Sequence, residues 1–133
     1  MSDTEPVISE LVAALHATAQ RFNEWALQLT RSERWSSGTS TLNVVHWTTD
    51  GHAAISGYVE AERDEVGTFT WMLDLIREGD AWRVGRSLTV NTNSSREQEV
   101  VAELRGMRFD STRQLAADLV PLVDELLELP APE

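Results

Sequence analysis

"TFTWMLDLIREGDAWRVGRSLTV", residues 68–90, is the stretch whose reading decides the fold. Phe69, Trp71, Leu73 and Leu75 alternate with Thr70, Met72 and Asp74, and the alternation resumes beyond Glu78-Gly79 with Trp82, Val84, Leu88 and Val90. A period of two marks a strand buried on one face, and two such runs about one short polar break make a β-hairpin. Counted outward from Glu78-Gly79, Leu75 falls opposite Trp82, Asp74 opposite Arg83, Leu73 opposite Val84 and Trp71 opposite Arg86.

Two more strands lie upstream. The loop "RDEVG" (63–67) sets Tyr58 near Met72 and Val59 near Trp71. Asp50-Gly51 is a strong two-residue hairpin signal. With it as the loop, Trp47 faces Ala54, His46 faces Ala53 or lies diagonal to Ile55, and Val44 lies beside Gly57. Alternation then sorts the residues onto two faces. Leu42, Val44, Ile55, Val59, Phe69, Trp71, Leu73, Leu75, Trp82, Val84, Leu88 and Val90 form a core face. Trp47, Ser56, Tyr58, Glu60, Glu62, Thr70, Met72, Asp74, Arg83, Ser87 and Thr89 form a polar face with a few large rings.

Helices flank the strands. Within residues 6–30, Ile8, Val12, Leu15, Ala19, Phe22, Ala26 and Leu29 recur in steps of four and three, one apolar stripe. "RSERWSSGTS" (31–40) reads as a loop. Asp110 or Ser111 opens a second helix, Ser111 with Gln114 matching a capping box, and the helix runs to about Leu129. Its apolar residues cover more than one packing surface needs. The surplus, Val120, Val123 and Leu127, is expected to support a homodimer through this helix. Residues 95–108 stay open between helix and strand. Ser94, Glu97 and Gly106 supply helix start and stop signals and favour a short helix, whereas "VVAELRGMRF" suits a fifth strand.

The two arginines of the opening stretch have different settings. Arg83 lies on the polar face, where Asp74 opposite makes a stabilising cross-strand pair. Arg86 lies on the apolar face beside Trp71. There it stacks on the ring, pairs with a helix carboxylate, or lines a pocket for an anion.

Composition narrows the functional classes. A chain of 133 residues without cysteine is one domain, residues 1–133, with neither disulfides nor thiolate metal sites. The net charge is −11, and all eleven basic residues are arginine. A field of that sign repels nucleic acid and anionic membrane and favours basic partners. No apolar run is long enough to span a bilayer and "MSDTEP" is not a signal peptide, so the expected compartment is the cytoplasm. The three histidines, His16, His46 and His52, follow no metal-binding spacing. His16 is expected half-buried, and no nucleophile or phosphate-loop motif occurs. No metal or cofactor is expected. Of the five tryptophans, Trp71 and Trp82 belong to the core by phase and Trp25 borders the first helix's stripe, while Trp35 and Trp47 are either exposed anchors or packed, Trp35 over a core edge and Trp47 on Tyr58.

The order of helix, antiparallel meander and closing helix, with acidity and small size, resembles several groups of bacterial accessory proteins. "RFDSTRQLAADLVPLVDELLEL" (108–129) is similar to the end of acidic dimeric secretion chaperones, which insert a helix midway through the sheet where this chain has none. Size and charge resemble small immunity proteins that neutralise secreted toxins. "GDAWRV" (79–84) resembles a hairpin of the nuclear-transport-factor-2-like cone fold, whose helices come early and which lacks a long closing helix.

The expected fold is α+β, a four- or five-stranded antiparallel meander with long N- and C-terminal helices on one face. The expected function is non-catalytic, a module that neutralises or chaperones a basic protein partner through Trp47, Tyr58, Glu60, Glu62, Asp74 and Arg83. The alternative is a small-molecule-binding or enzymatic cone-like domain with a pocket between helix and sheet, lined by His46, Trp71 and Arg86 with Tyr58.

Overall fold

A computed structural model gives the elements in the order α1 (Thr4–Thr30), β1 (Ser37–Trp47), β2 (Ala53–Arg63), β3 (Gly67–Glu78), β4 (Ala81–Thr92), β5 (Gln98–Phe109) and α2 (Thr112–Leu127). It describes residues 4–31, 35, 37–47, 52–63, 66–92 and 98–130, without the side chains of 4–8, 37, 44–47 and 98. The strands form one open five-stranded sheet in sequence order, β1-β2-β3-β4-β5, every neighbour antiparallel. Both helices lie on one face, α1 over β1 and β2, α2 over β3, β4 and β5. This is the expected α+β architecture with the fifth strand present.

The core face is the one that alternation marks. Ile55, Val59, Phe69, Trp71, Leu73, Leu75, Trp82, Val84, Leu88 and Val90 are all buried, and Leu42 is half-buried. Tyr58 pairs with Met72 and Val59 with Trp71, as the 63–67 loop implies. The next hairpin turns one residue later than expected. Glu78 pairs with Ala81, so Gly79 and Asp80 are the turn, and Gly79 takes the left-handed φ of 64° that glycine tolerates. Moving the turn by one residue slides the pairing by two. The faces are therefore unchanged, but Leu75 meets Val84, Trp71 meets Leu88, Leu73 meets Arg86, and Asp74 meets Gly85 rather than Arg83.

The β1–β2 pairing also departs from expectation. Trp47 pairs with Ala53, His46 with Ala54 and Val44 with Ile55, with a register shift between Val44 and His46. An irregularity of this kind changes the count on one strand only, which a reading from the turn alone misses. Leu42, not Val44, lies opposite Gly57. There the glycine is needed, because a Cβ would sit 2.5 Å from Leu42 Cδ1 and 2.8 Å from Phe22 Cε2. The bare backbone at Gly57 lets α1 settle onto the sheet through Phe22.

Residues 98–109 are strand, not the favoured helix. Ser94 and Glu97 lie outside the described residues, and Gly106 falls inside β5. Sheet pairing wins over local helix signals because β4 would otherwise leave its hydrogen-bonding edge open. Register shifts between Val84 and Arg86 and between Leu88 and Thr89 bend the strand against β4.

In α1 the buried positions are Leu11, Ala14, Thr18, Phe22 and Ala26, while Val12 is 58% exposed and His16 is exposed rather than half-buried. The expected stripe is thus turned by about one residue in its first half. Thr18 fits the core by donating its hydroxyl to the Ala14 carbonyl at 2.9 Å. Ser111 caps α2, accepting from Gln114 N at 3.2 Å, while Gln114 Oε1 accepts from Asp110 N at 3.1 Å. The helices run side by side in the same direction, marked by Glu10–Arg113 at 3.5 Å and Arg21–Asp124 at 3.8 Å. Leu127 and Val123 are buried in this packing, so two of the three residues expected to meet a symmetry mate are already covered within the chain. Val120 is half-buried. Among the described residues no helix is long and apolar enough to cross a membrane.

Candidate functional site on the uncovered sheet face

With both helices on one side, the other face of the sheet has no covering element among the described residues. Register lays its side chains out in rows. One row runs Asn43, Ser56, Asp74. The next runs Thr41, Tyr58, Met72, Ser87, Glu103, and the third runs Thr39, Glu60, Thr70, Thr89, Val100. Glu62 lies across from Thr68 at the margin, and Ile76, Arg83 and Arg108 close the opposite end. Neighbours in such rows stand about 4.5–5.5 Å apart at Cβ, so each row acts as one surface.

The threonines and Met72 make the floor. Thr70 and Thr89 are buried although no described element covers this face, and the Thr89 hydroxyl lies 4.0 Å from Met72 Sδ. Tyr58 and Glu60 rise half-buried from this floor, and Glu62 and Glu103 are exposed at its sides. Asp74 accepts a hydrogen bond from Ser56 Oγ at 3.2 Å. Arg83 does not join it. The guanidinium reaches Glu78 at 2.5 Å, with both side chains more than half exposed, a pair worth little to stability. Arg108 similarly lies 3.7 Å from Asp110. The basic end of the face thus has its charges matched, while the carboxylates of Glu60, Glu62, Asp74 and Glu103 are spread over the rest.

The structure therefore brings Tyr58, Glu60, Glu62 and Asp74 onto one surface and leaves Arg83 at its edge, away from Asp74. Trp47 belongs to β1, but its side chain lies outside the described residues, as does that of His46. Glu103 was absent from the expected polar face because its segment stayed open between helix and strand. Sequence reasoning missed Ile76, 40% exposed, whose even-numbered phase with Met72 and Asp74 was signal enough.

Of the residues of the alternative pocket, Trp71 and Arg86 are buried on the core face, one diagonal step apart across β3 and β4, and the His46 side chain lies outside the described residues. Trp71 is 1% exposed, meets Trp25 edge-on at 4.4 Å between ring centroids, and donates Nε1 to the Leu129 carbonyl at 3.0 Å. Arg86, 4% exposed, donates to the Leu122 carbonyl at 3.1 Å and to Glu125 Oε2 at 3.4 Å, with Met107 Sδ at 3.5 Å. Arg86 thus pairs with a helix carboxylate, one of the roles open to it. Trp35 is buried, not exposed. It stacks edge-on against Phe69 and Trp71 at 5.5 and 6.0 Å, with the Arg63 guanidinium 4.3 Å above its ring. A groove of about 290 Å³ does exist, but between the helices, lined by Arg21, Glu24, Trp25, Gln28, Asp124, Leu127 and Glu128.

No family model, curated protein or solved structure matches the chain.

Proposed function

We propose that the chain is a non-catalytic cytoplasmic protein that neutralises or chaperones a basic protein partner, gripping it with the uncovered face of its sheet. The observation that carries this reading is that face itself, a five-stranded surface with a threonine floor, Tyr58 as its described aromatic and carboxylates around it. An aromatic anchor within a charged rim suits protein recognition, the ring setting dissociation and the rim setting encounter. The net charge of −11 supports long-range attraction to a basic surface. The immunity, inhibitor and secretion-chaperone types all fit this chemistry.

Affinity capture from the native cell extract, with mass spectrometry, identifies the partner, and stopped-flow association then tests the surface. Between about 50 and 500 mM salt the Debye length falls to about 4 Å, and the association rate is expected to fall steeply with it. Tyr58→Ala is expected to speed dissociation, and Glu60→Gln with Asp74→Asn to slow association. A rate indifferent to salt, with affinity unchanged for Tyr58→Ala, would remove this face from consideration.

A further inference from the structure

We propose that the free edge of β5 pairs with β5 of a second copy of the chain, antiparallel about a two-fold axis, joining two five-stranded sheets into one. β5 is twelve residues long and, among the described residues, pairs only with β4, so its other edge presents backbone donors and acceptors that no described strand takes up. Such an edge is a template for another strand unless something guards it. Charges are the usual guard, and β5 carries four of them in a telling order. Glu99 and Glu103 lie in its first half, Arg105 and Arg108 in its second.

An antiparallel copy reverses that order and sets the acidic half of each strand against the basic half of the other. With the two-fold at Leu104, Glu103 of each copy falls across from Arg105 of the other, and Val100 across from the aliphatic stem of Arg108. Glu103 and Arg105 are exposed and have no ion-pair or hydrogen-bond partner among the described residues. Val100 is 62% exposed, the most exposed of the large hydrophobic residues described. The segment Ala102–Leu104, where the axis would pass, is the regular part of β5 between its two register shifts. A chain of net charge −11 repels its own copies over most of its surface, but the four charges of β5 cancel. The other edge offers no such selection, since Gly38 to Asn43 of β1 are uncharged. A two-fold perpendicular to the sheet keeps both uncovered faces on the same side, so the assembly would present one continuous acidic surface.

Sedimentation equilibrium from about 1 μM to 1 mM tests this without any partner in hand, so its outcome is separate from that of the binding reading. The mass is expected to rise from 14.9 kDa toward twice that value. Glu103→Arg and Arg105→Glu should each raise the dissociation constant about tenfold or more, since each converts two attractive cross-strand pairs into repulsive ones. The double variant Glu103→Arg/Arg105→Glu should restore it. Both positions are exposed, and far-UV circular dichroism checks that each variant folds. A monomer at every concentration, a dimer indifferent to both single substitutions, or a double variant that stays monomeric would each overturn the proposal.

Discussion

Trp71 is held from three directions. Trp25 of α1 meets it edge-on, Trp35 closes a second side, and the Leu129 carbonyl takes its indole proton. Trp71→Ala should therefore cost roughly 3–5 kcal/mol in urea unfolding, as large aromatic truncations in cores do. A loss under about 1 kcal/mol would contradict the assignment of faces. Gly57 makes the opposite case, a site where adding one methyl does harm. Gly57→Ala drives a Cβ into Phe22 and Leu42 and should destabilise by about 1–3 kcal/mol, read from the same unfolding curves. The alternation of residues 68–90 made the burial of Trp71 legible. The need for Gly57 was not, because it depends on which α1 side chain lands above it.

Local rules settled some elements and failed at others for physical reasons. The start of α2 was readable because a cap is a local contact: Ser111→Ala should cost about 1 kcal/mol in thermal or urea unfolding. The β3–β4 turn was misplaced by one residue, since Glu78-Gly79 and Gly79-Asp80 both offer turn residues and only cross-strand packing chooses between them. That displacement cost the Asp74–Arg83 pair but not the faces. β5 was harder. Its helix-start and helix-stop signals are local, whereas the edge of β4 that claims it as a strand is set by the rest of the sheet. Arg86 joins these elements, tying β4 to α2 through the Leu122 carbonyl and Glu125. Arg86→Ala should destabilise more than Glu125→Ala, because Arg86 is 3% exposed in its side chain and Glu125 58%. Equal losses in unfolding free energy would mean that the ion pair, and not the buried packing, carries the contact.

On the scale of the molecule, the fold divides into a covered and an uncovered half. The covered half was legible from hydrophobic period alone. The uncovered half was legible as a polar face, but not as a set of residues, since its membership rests on the fifth strand and on the shifts in register that the turns do not announce. The proposed binding surface lies in that second half, where Tyr58, Glu60 and Asp74 stand on a floor of threonine.

The side-by-side helices have a kinetic consequence. Every strand pairs with its neighbour in sequence, so the sheet can zip up hairpin by hairpin over short loops. Among the described elements the α1–α2 contact, as at Arg21 and Asp124, joins the two ends of the chain, and closing so long a loop is entropically costly until the sheet provides a platform. Docking of α1 on α2 is therefore expected after the rate-limiting step. Leu127→Ala, in the wall of the interhelical groove, should speed unfolding and leave refolding nearly unchanged, whereas Leu73→Ala in the central strand should slow refolding. Chevron plots of the two variants separate these cases. A slowed refolding limb for Leu127→Ala would place the helix pair inside the folding nucleus.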